Sequence, residues 1–344
     1  MSSAPNLRPR TAVRPATLAD IAREAGTSPS TASRALSGRG YVSPEARDRL
    51  LAAAQRLGYV PNASARTLKQ RRSRVIGVVV SDLANQFYAA LASGIETTLR
   101  AASYQMVLLG DNSDAGQELT GVRTFLSMRA PGVIITPASN SAADLLVSRG
   151  VPVVEVDRRL ATSTCDAVVI DNERGARAAV EHLLDLGHER IGLLMAKTTW
   201  TTDAGRLEGY RAALTAAGLK VDRKLVVKVA THAADATGRI AALLDEQQPT
   251  AIFAANNVLA EQAWQVLRAR RLSIPRDISL VAFDDVPWMG MVQPAITAVA
   301  QPTYEMGRRA ALLLLRRLED PTCGRTVEVL EPKLITRGST GRKR

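Results

Sequence analysis

Thr17-Leu-Ala-Asp-Ile-Ala-Arg-Glu-Ala-Gly-Thr-Ser-Pro-Ser-Thr-Ala-Ser-Arg-Ala-Leu36 is the stretch whose reading decides the fold. Thr17 is a helix N-cap, with Asp20 three residues on in the capping-box position. Leu18, Ile21, Ala22 and Ala25 then share one helical face, and Gly26 ends the helix. Pro29 suits the first position of a second helix, capped by Ser28 and running through Ala32, Ala35 and Leu36 to Gly38. A third helix opens with Ser43 and Pro44 and is expected to bury Leu50, Leu51, Ala54 and Leu57 before Gly58. Two short helices across a tight turn, with small residues at the crossing, predict a helix-turn-helix whose second helix enters the DNA major groove. Its outward residues are Pro29, Ser30, Thr31, Ser33 and Arg34. Short hydroxyls reach phosphates or bases, and Arg34 can donate two bonds to O6 and N7 of guanine.

Charge distribution separates this reading from a generic three-helix bundle. The 344-residue chain carries a net charge of +12. Residues 1–74 hold 14 Lys and Arg against 4 Asp and Glu, and the other 270 hold 31 against 29. A basic module on an almost neutral body implies that only the module meets a polyanion. A basic tail would account for Arg8, Arg10 and Arg14, but not for the patterned helices after them.

Tyr41-Val-Ser-Pro-Glu45 and Leu57-Gly-Tyr-Val-Pro-Asn62 follow the helix-turn-helix. Together with Thr17–Leu36 they closely resemble the headpiece of the lactose-repressor (LacI/GalR) family, and the resemblance runs to about Gly338. On its own, Asn62-Ala-Ser-Ala-Arg-Thr-Leu-Lys69 is a weak helix without a core face, followed by the basic run Gln70–Arg74. Such a segment is either a tether or one that orders on a partner. The resemblance implies a hinge helix in the minor groove of an operator, with Leu68 as the wedge that unstacks a base step. It also implies Ala65 at the helix–helix contact and Lys69 after the wedge. The expected DNA-contact set is therefore Thr17, Ser28, Pro29, Ser30, Thr31, Ser33 and Arg34, with Asn62, Ala65, Leu68 and Lys69.

From Val75 the texture changes. Apolar runs of strand length recur at Val75–Val80, Met106–Leu109, Val133–Ile135, Val153–Val156, Val168–Ile170, Ile191–Met195, Ala251–Ala254 and Leu280–Phe283. Helical segments alternate with them, so the core is α/β with parallel sheets, and there are enough strands for two lobes. Ligands in such sheets bind beyond the carboxyl ends of strands. That rule nominates Ser81-Asp82, Asp111-Asn112, Asp157-Arg158, Asp171-Asn172, Asn256-Asn257 and Asp284-Asp285, with Trp200 or Trp288 as stacking faces. Each of these, taken alone, is equally a helix cap or a lid over a strand end.

The core is similar to the periplasmic-binding-protein type I fold of the same family. The resemblance implies Phe87 and Tyr88 as a ligand-stacking pair and Asp171 as a contact at the lobe crossover. It also implies Arg206, in Asp203-Ala-Gly-Arg-Leu-Glu-Gly-Tyr210, and Asp284 as effector contacts. Trp200 and the pair Asn256-Asn257 depart from the family pattern and leave the effector open; Trp200 and Trp288 tilt it toward a sugar or sugar derivative. The candidate effector set is Phe87, Tyr88, Asp111, Asp157, Asp171, Trp200, Arg206, Asn256, Asp284 and Trp288.

The expected organisation has a disordered extension (1–16), the headpiece (17–61), a hinge helix and linker (62–74), an effector-binding and dimerisation core (75–338) and a basic, disordered tail (339–344). Lobe 1 would span about 75–170 and 301–326, and lobe 2 about 171–300 and 327–338, with crossings near Asp171, Ala300-Gln-Pro302 and Val327. No leucine heptads follow the core, which favours a homodimer over a tetramer. No signal peptide or membrane-length apolar run is present, which implies a bacterial cytoplasmic protein, on the nucleoid when bound to DNA. No phosphate loop or Gly-x-Gly-x-x-Gly occurs, and the three histidines lack metal-ligand spacing, so no cofactor, metal or catalytic residue is expected. The expected function is a sequence-specific regulator, most often a repressor in this family. It would bind double-stranded, pseudo-palindromic operator DNA under allosteric control by a small molecule. The alternatives are a sugar receptor with an incidental basic N-terminus and an enzyme with an attached DNA reader.

Overall fold

The computed structural model of the protein describes residues 14, 16–38, 40–59, 73–198, 200–229 and 236–343. The chain divides into two units, the first ending at residue 71. Most of the 1–16 extension and the hinge residues Asn62, Ala65, Leu68 and Lys69 lie outside the described residues.

The first unit holds α1 (Leu18–Glu24), α2 (Pro29–Ser37) and α3 (Pro44–Arg56). Each begins at a hydroxyl that accepts an otherwise orphaned backbone N–H. Thr17 accepts from Asp20 N at 3.3 Å while the Asp20 carboxylate accepts from Thr17 N at 2.9 Å, completing the capping box. Ser28 accepts from Thr31 N and Ser43 from Ala46 N. Gly38 closes α2 at φ +70°, where any side chain would be strained. The buried cluster is mostly alanine around Ile21, Val42 and Leu50. These small side chains bring the helices close, so α3 is covered only along a narrow stripe, Leu50 and Ala53. That corrects the expected face: Leu51 is 48% exposed and Leu57 38%.

The second unit opens with β1 (Val75–Val80), α4 (Gln86–Ala101), β2 (Gln105–Gly110), α5 (Ala115–Ser127), β3 (Val133–Ile135), α6 (Asn140–Ser148), β4 (Val153–Asp157) and β5 (Asp166–Ile170). It continues with α7 (Asn172–Asp185), β6 (Ile191–Ala196), α8 (Thr201–Ala216), β7 (Val226–Val229), α9 (Ala236–Ala242), β8 (Ala251–Ala254), α10 (Asn257–Ala269) and β9 (Ser279–Phe283). The last elements are α11 (Trp288–Met291), β10 (Thr297–Ala300), α12 (Thr303–Glu319), β11 (Val327–Leu330) and β12 (Lys333–Ile335). The strands form two sheets of the same design, in the orders β11-β5-β4-β3-β1-β2 and β12-β10-β9-β8-β6-β7. All pairs are parallel except β10 with β12. The central strands are buried and mostly apolar because helices cover both faces; Glu155, in the middle of β4, is a buried charged exception.

Each lobe also holds a helix pair in backbone contact, α4 with α12 and α7 with α8. Glycines make the approach possible. A Cβ at Gly94 would stand 2.0 Å from Tyr304 O, one at Gly307 2.1 Å from Leu91 O, and one at Gly209 2.2 Å from Glu173 O.

Two further expectations differ from the structure. β11 pairs with β5, so Val327–Leu330 belong to lobe 1 and the third crossing is Glu331-Pro332, not Val327. The reason is that Val-Glu-Val-Leu is a half-exposed edge strand, which periodicity assigns to neither lobe. The basic tail is also not loose up to Lys343. Ser339 is fully buried; its hydroxyl donates to Leu280 O at 2.5 Å and accepts from Thr297 N at 2.8 Å. Lys343 N donates to Leu186 O at 2.9 Å. Polar composition misled there because these bonds run to the backbone, which no side-chain pattern reveals. No described helix is long and apolar enough to cross a membrane.

Candidate ligand cleft and nucleic-acid interface

On the headpiece, Ser28, Pro29, Ser30 and Arg34 are exposed on α2, and Thr31 and Ser33 are half-buried beside them. The Ser28 hydroxyl lies 2.8 Å from that of Ser30 and 2.9 Å from that of Thr31, making a compact polar end to the helix. Thr17 stands apart from this group: its hydroxyl both accepts from Asp20 N and donates to the Asp20 carboxylate. It is a helix cap. The stem of Arg34 lies against Gly40, where a Cβ would come within 3.2 Å of it.

In the second unit a cavity of about 90 Å³ lies between the lobes at the carboxyl ends of the strands. Lobe 1 contributes Ser81, Asn85, Phe87, Tyr88, Asp157 and Arg158; lobe 2 contributes Trp200, Asp203, Arg206, Asn256, Asn257 and Asp284. Phe87 and Tyr88, in the first turn of α4, meet edge to face at 5.1 Å. The Tyr88 hydroxyl donates to Asp157 Oδ2 at 3.3 Å, and burial raises its pKa, so it remains a donor. Burial also pushes Asp157 up to about 6, against the pull of Arg158 and Arg206. Asp203 is raised by burial as well and accepts from the Thr198 hydroxyl.

Both guanidinium groups are fixed from several sides. Arg158 donates to Pro137 O at 2.7 Å and to the Ser81 hydroxyl, and its flat face lies 3.4 Å from the Trp200 ring centroid. Arg206 donates to Asn172 Oδ1 at 2.9 Å and Ala255 O at 2.6 Å, and stacks 3.8 Å over Phe283. Its Nη2 is 3.8 Å from Asp284 Oδ1, to which Gln301 Nε2 donates at 2.5 Å. Two amides close the mouth: Asn257 Nδ2 donates to Asn85 Oδ1 at 2.7 Å, and Asn85 Nδ2 to Asn257 Oδ1 at 3.3 Å.

Of the ten expected effector residues, the structure brings Phe87, Tyr88, Asp157, Trp200, Arg206, Asn256 and Asp284 to this cavity. Three stand elsewhere. Asp111 is buried beside its own loop, where Oδ1 accepts from Ser113 N at 2.7 Å. Asp171 caps α7 by accepting from Arg174 N at 2.9 Å. Trp288 packs on Trp264, with ring centroids 6.3 Å apart, in the apolar cluster of lobe 2. Asn256 reaches the rim but spends its Oδ1 on capping α10 at Leu259 N. Trp200 lines the cavity with one face already covered by Arg158. Asn85, Asp203 and Gln301 were missed. Asp203 is one turn before Arg206 on the same helix, and that spacing was the available signal.

Among known proteins, the description "Bacterial regulatory proteins, lacI family" matches residues 17–62, and "Periplasmic binding protein-like domain" matches residues 180–340. The HTH-type transcriptional regulator DegA of Bacillus subtilis (strain 168) is 31% identical, covering 94% of this chain and 98% of its own. Among solved structures, the transcriptional regulator CelR–cellobiose complex superposes with a TM-score of 0.72 at 31% identity, covering 94% of this chain and 99% of that one. The lac repressor dimer bound to operator and the anti-inducer ONPF superposes with a TM-score of 0.83 at 27% identity, covering 95% and 100%.

Proposed function

The chain belongs to the lacI family of bacterial regulatory proteins, and from that premise we propose a transcription repressor whose hold on operator DNA is set by a sugar-like effector in the cleft. The observation that carries this reading is the cleft itself. Asp157 and Arg158 of one lobe meet Trp200, Arg206 and Asp284 of the other around one small polar cavity, with aromatic rings on its wall. Carboxylates and guanidinium groups over an aromatic wall bind hydroxyls and C–H faces together, as a sugar requires. The relative CelR is described with cellobiose and the lac repressor with operator, which supports both halves of the reading.

In this reading two copies bind a pseudo-palindromic operator, because the symmetry of the site mirrors that of the dimer. Ser28, Pro29, Ser30, Thr31, Ser33 and Arg34 contact DNA from α2, and Asn62, Ala65, Leu68 and Lys69 act from the hinge. The cleft binds its ligand without turning it over. Lobe closure and DNA binding are coupled, so effector and operator each change the other's affinity by the same factor. Selecting bound fragments from random DNA with the full chain tests this arrangement. The expected product is an inverted repeat occupied by two chains; a single, unrepeated half-site bound by one chain would contradict it.

A further inference from the structure

The charges in the cleft do not balance. Asp157, Asp203 and Asp284 are 7%, 4% and 7% exposed, and only two cations, Arg158 and Arg206, line the cavity with them. No lysine or histidine is among its described lining residues. Neither guanidinium makes a close two-point pair with a carboxylate. Arg158 is engaged by Pro137 O, Ser81 and the Trp200 ring, and Arg206 by Asn172, Ala255 O and the Phe283 ring. Asp157 accepts one long hydrogen bond among the described residues, from Tyr88 at 3.3 Å, although a carboxylate offers roughly four acceptor sites.

An unpaired buried carboxylate is costly, and ligands relieve that cost differently. The hydroxyls of a neutral sugar would fill the acceptor sites and leave the charge. A phosphate or carboxylate would add to it. A protonated amine fills the sites and neutralises the charge together, through charge-assisted bonds. Size narrows the class further: the cavity is small, about 90 Å³, which suits one sugar ring rather than two.

We propose that the effector is a single-ring amino sugar, unphosphorylated, whose ammonium group lies among Asp157, Asp203 and Asp284. The inference rests on reading the cleft as an effector site. The raised pKa of Asp157 has the same origin, since Arg158 and Arg206 only partly offset its burial and Asp284 opposes them. An ammonium group holds Asp157 ionised, so amino-sugar binding weakens as pH falls below about 6.

Titration calorimetry of the full chain tests this with glucosamine, galactosamine and mannosamine, each beside its neutral parent sugar and its 6-phosphate. One amino sugar is expected to bind about tenfold or more tighter than its parent, and its phosphate to bind more weakly than either. Asp157→Asn is the informative variant, because Asn tolerates the φ of +70° at this position. It is expected to bring the ratio of amino-sugar to parent affinity close to one. A neutral sugar or a phosphate that binds as tightly as the amine overturns the inference, as does an Asp157→Asn protein that keeps the preference. If that neutral or phosphorylated sugar also alters operator binding, the effector reading survives and only the amine fails. If no sugar of any kind binds, the effector reading falls with it.

Discussion

The Arg158 guanidinium lies 3.4 Å from the centroid of the Trp200 ring and so ties the end of β4 in one lobe to the start of α8 in the other. Pro137 O and Ser81 hold Arg158 from behind, so the stack is built on a fixed cation. A desolvated contact of this kind contributes about 2 kcal/mol. Trp200→Ala is therefore expected to weaken effector binding by about tenfold or more, and Trp200→Phe to retain most of it. Calorimetry on the two variants checks this, and equal affinity in the alanine protein would remove the stack from lobe closure.

Arg34 is the one long cationic side chain on the exposed face of α2. Arg34→Ala is expected to cost about 1–3 kcal/mol of specific operator binding, with a smaller loss on unrelated DNA. Fluorescence anisotropy with both DNAs separates the two. An equal loss on both would make Arg34 a phosphate contact rather than a base reader.

The C-terminal strap carries a stability prediction. Deleting residues 339–344 leaves the Thr297 N–H and the Leu280 N–H and C=O without the bonds Ser339 makes to them. Each buried group left unpaired costs about 1–3 kcal/mol, so a total loss of about 3 kcal/mol or more is expected in urea unfolding. The cost depends on pH. His182 bonds to Thr340 and His188 to Gly341 O, and burial holds both rings below their ordinary pKa of 6.5. A histidine depressed in the folded state contributes stability above its unfolded pKa and loses it as pH falls. The difference between full-length and truncated protein should therefore shrink below pH 6.5. A difference that grows on acidification would contradict the role given to the histidines.

Gly307 and Gly94 let α12 and α4 touch backbone to backbone. Gly307→Ala places a methyl 2.1 Å from Leu91 O, so the helices must separate. Overpacking of this kind costs about 1–3 kcal/mol, and a backbone neighbour cannot swing aside, so the upper end is expected in urea unfolding. Ala substituted at Gly238, a helical position where a Cβ meets nothing within 4 Å, is the matched control and should stabilise slightly, by about 0.4–1 kcal/mol.

Much of this architecture is legible in the sequence because local chemistry and tertiary structure agree. Thr17, Ser28 and Ser43 cap the helices their positions predict, and the apolar runs of β3, β6 and β8 are fully buried strands. The strands that escape notice, β7, β10, β11 and β12, are short, and all but β10 are half-exposed or lie at sheet edges, where lysine or glutamate breaks the apolar run. The strand-end rule finds Asp157, Arg158, Asn257 and Asp284 but also Asp111 and Asp171. It cannot separate them, because the local backbone conformation, rather than the residue type, aims each side chain. Asp157 and Asp284 both turn into the cleft at φ +70°, while Asp171 stays at φ −76° and caps a helix. Gln301 was invisible for another reason: only the crossing of the chain between lobes brings it to Asp284.

In the proposed function the cleft and the headpiece are coupled. The most direct test is the affinity of the full chain for its selected operator, measured with and without a saturating concentration of the tightest sugar from the calorimetric panel. A change of about fivefold or more is expected, with the operator changing the sugar's affinity by the same factor. Tight sugar binding that leaves operator affinity unchanged would contradict it.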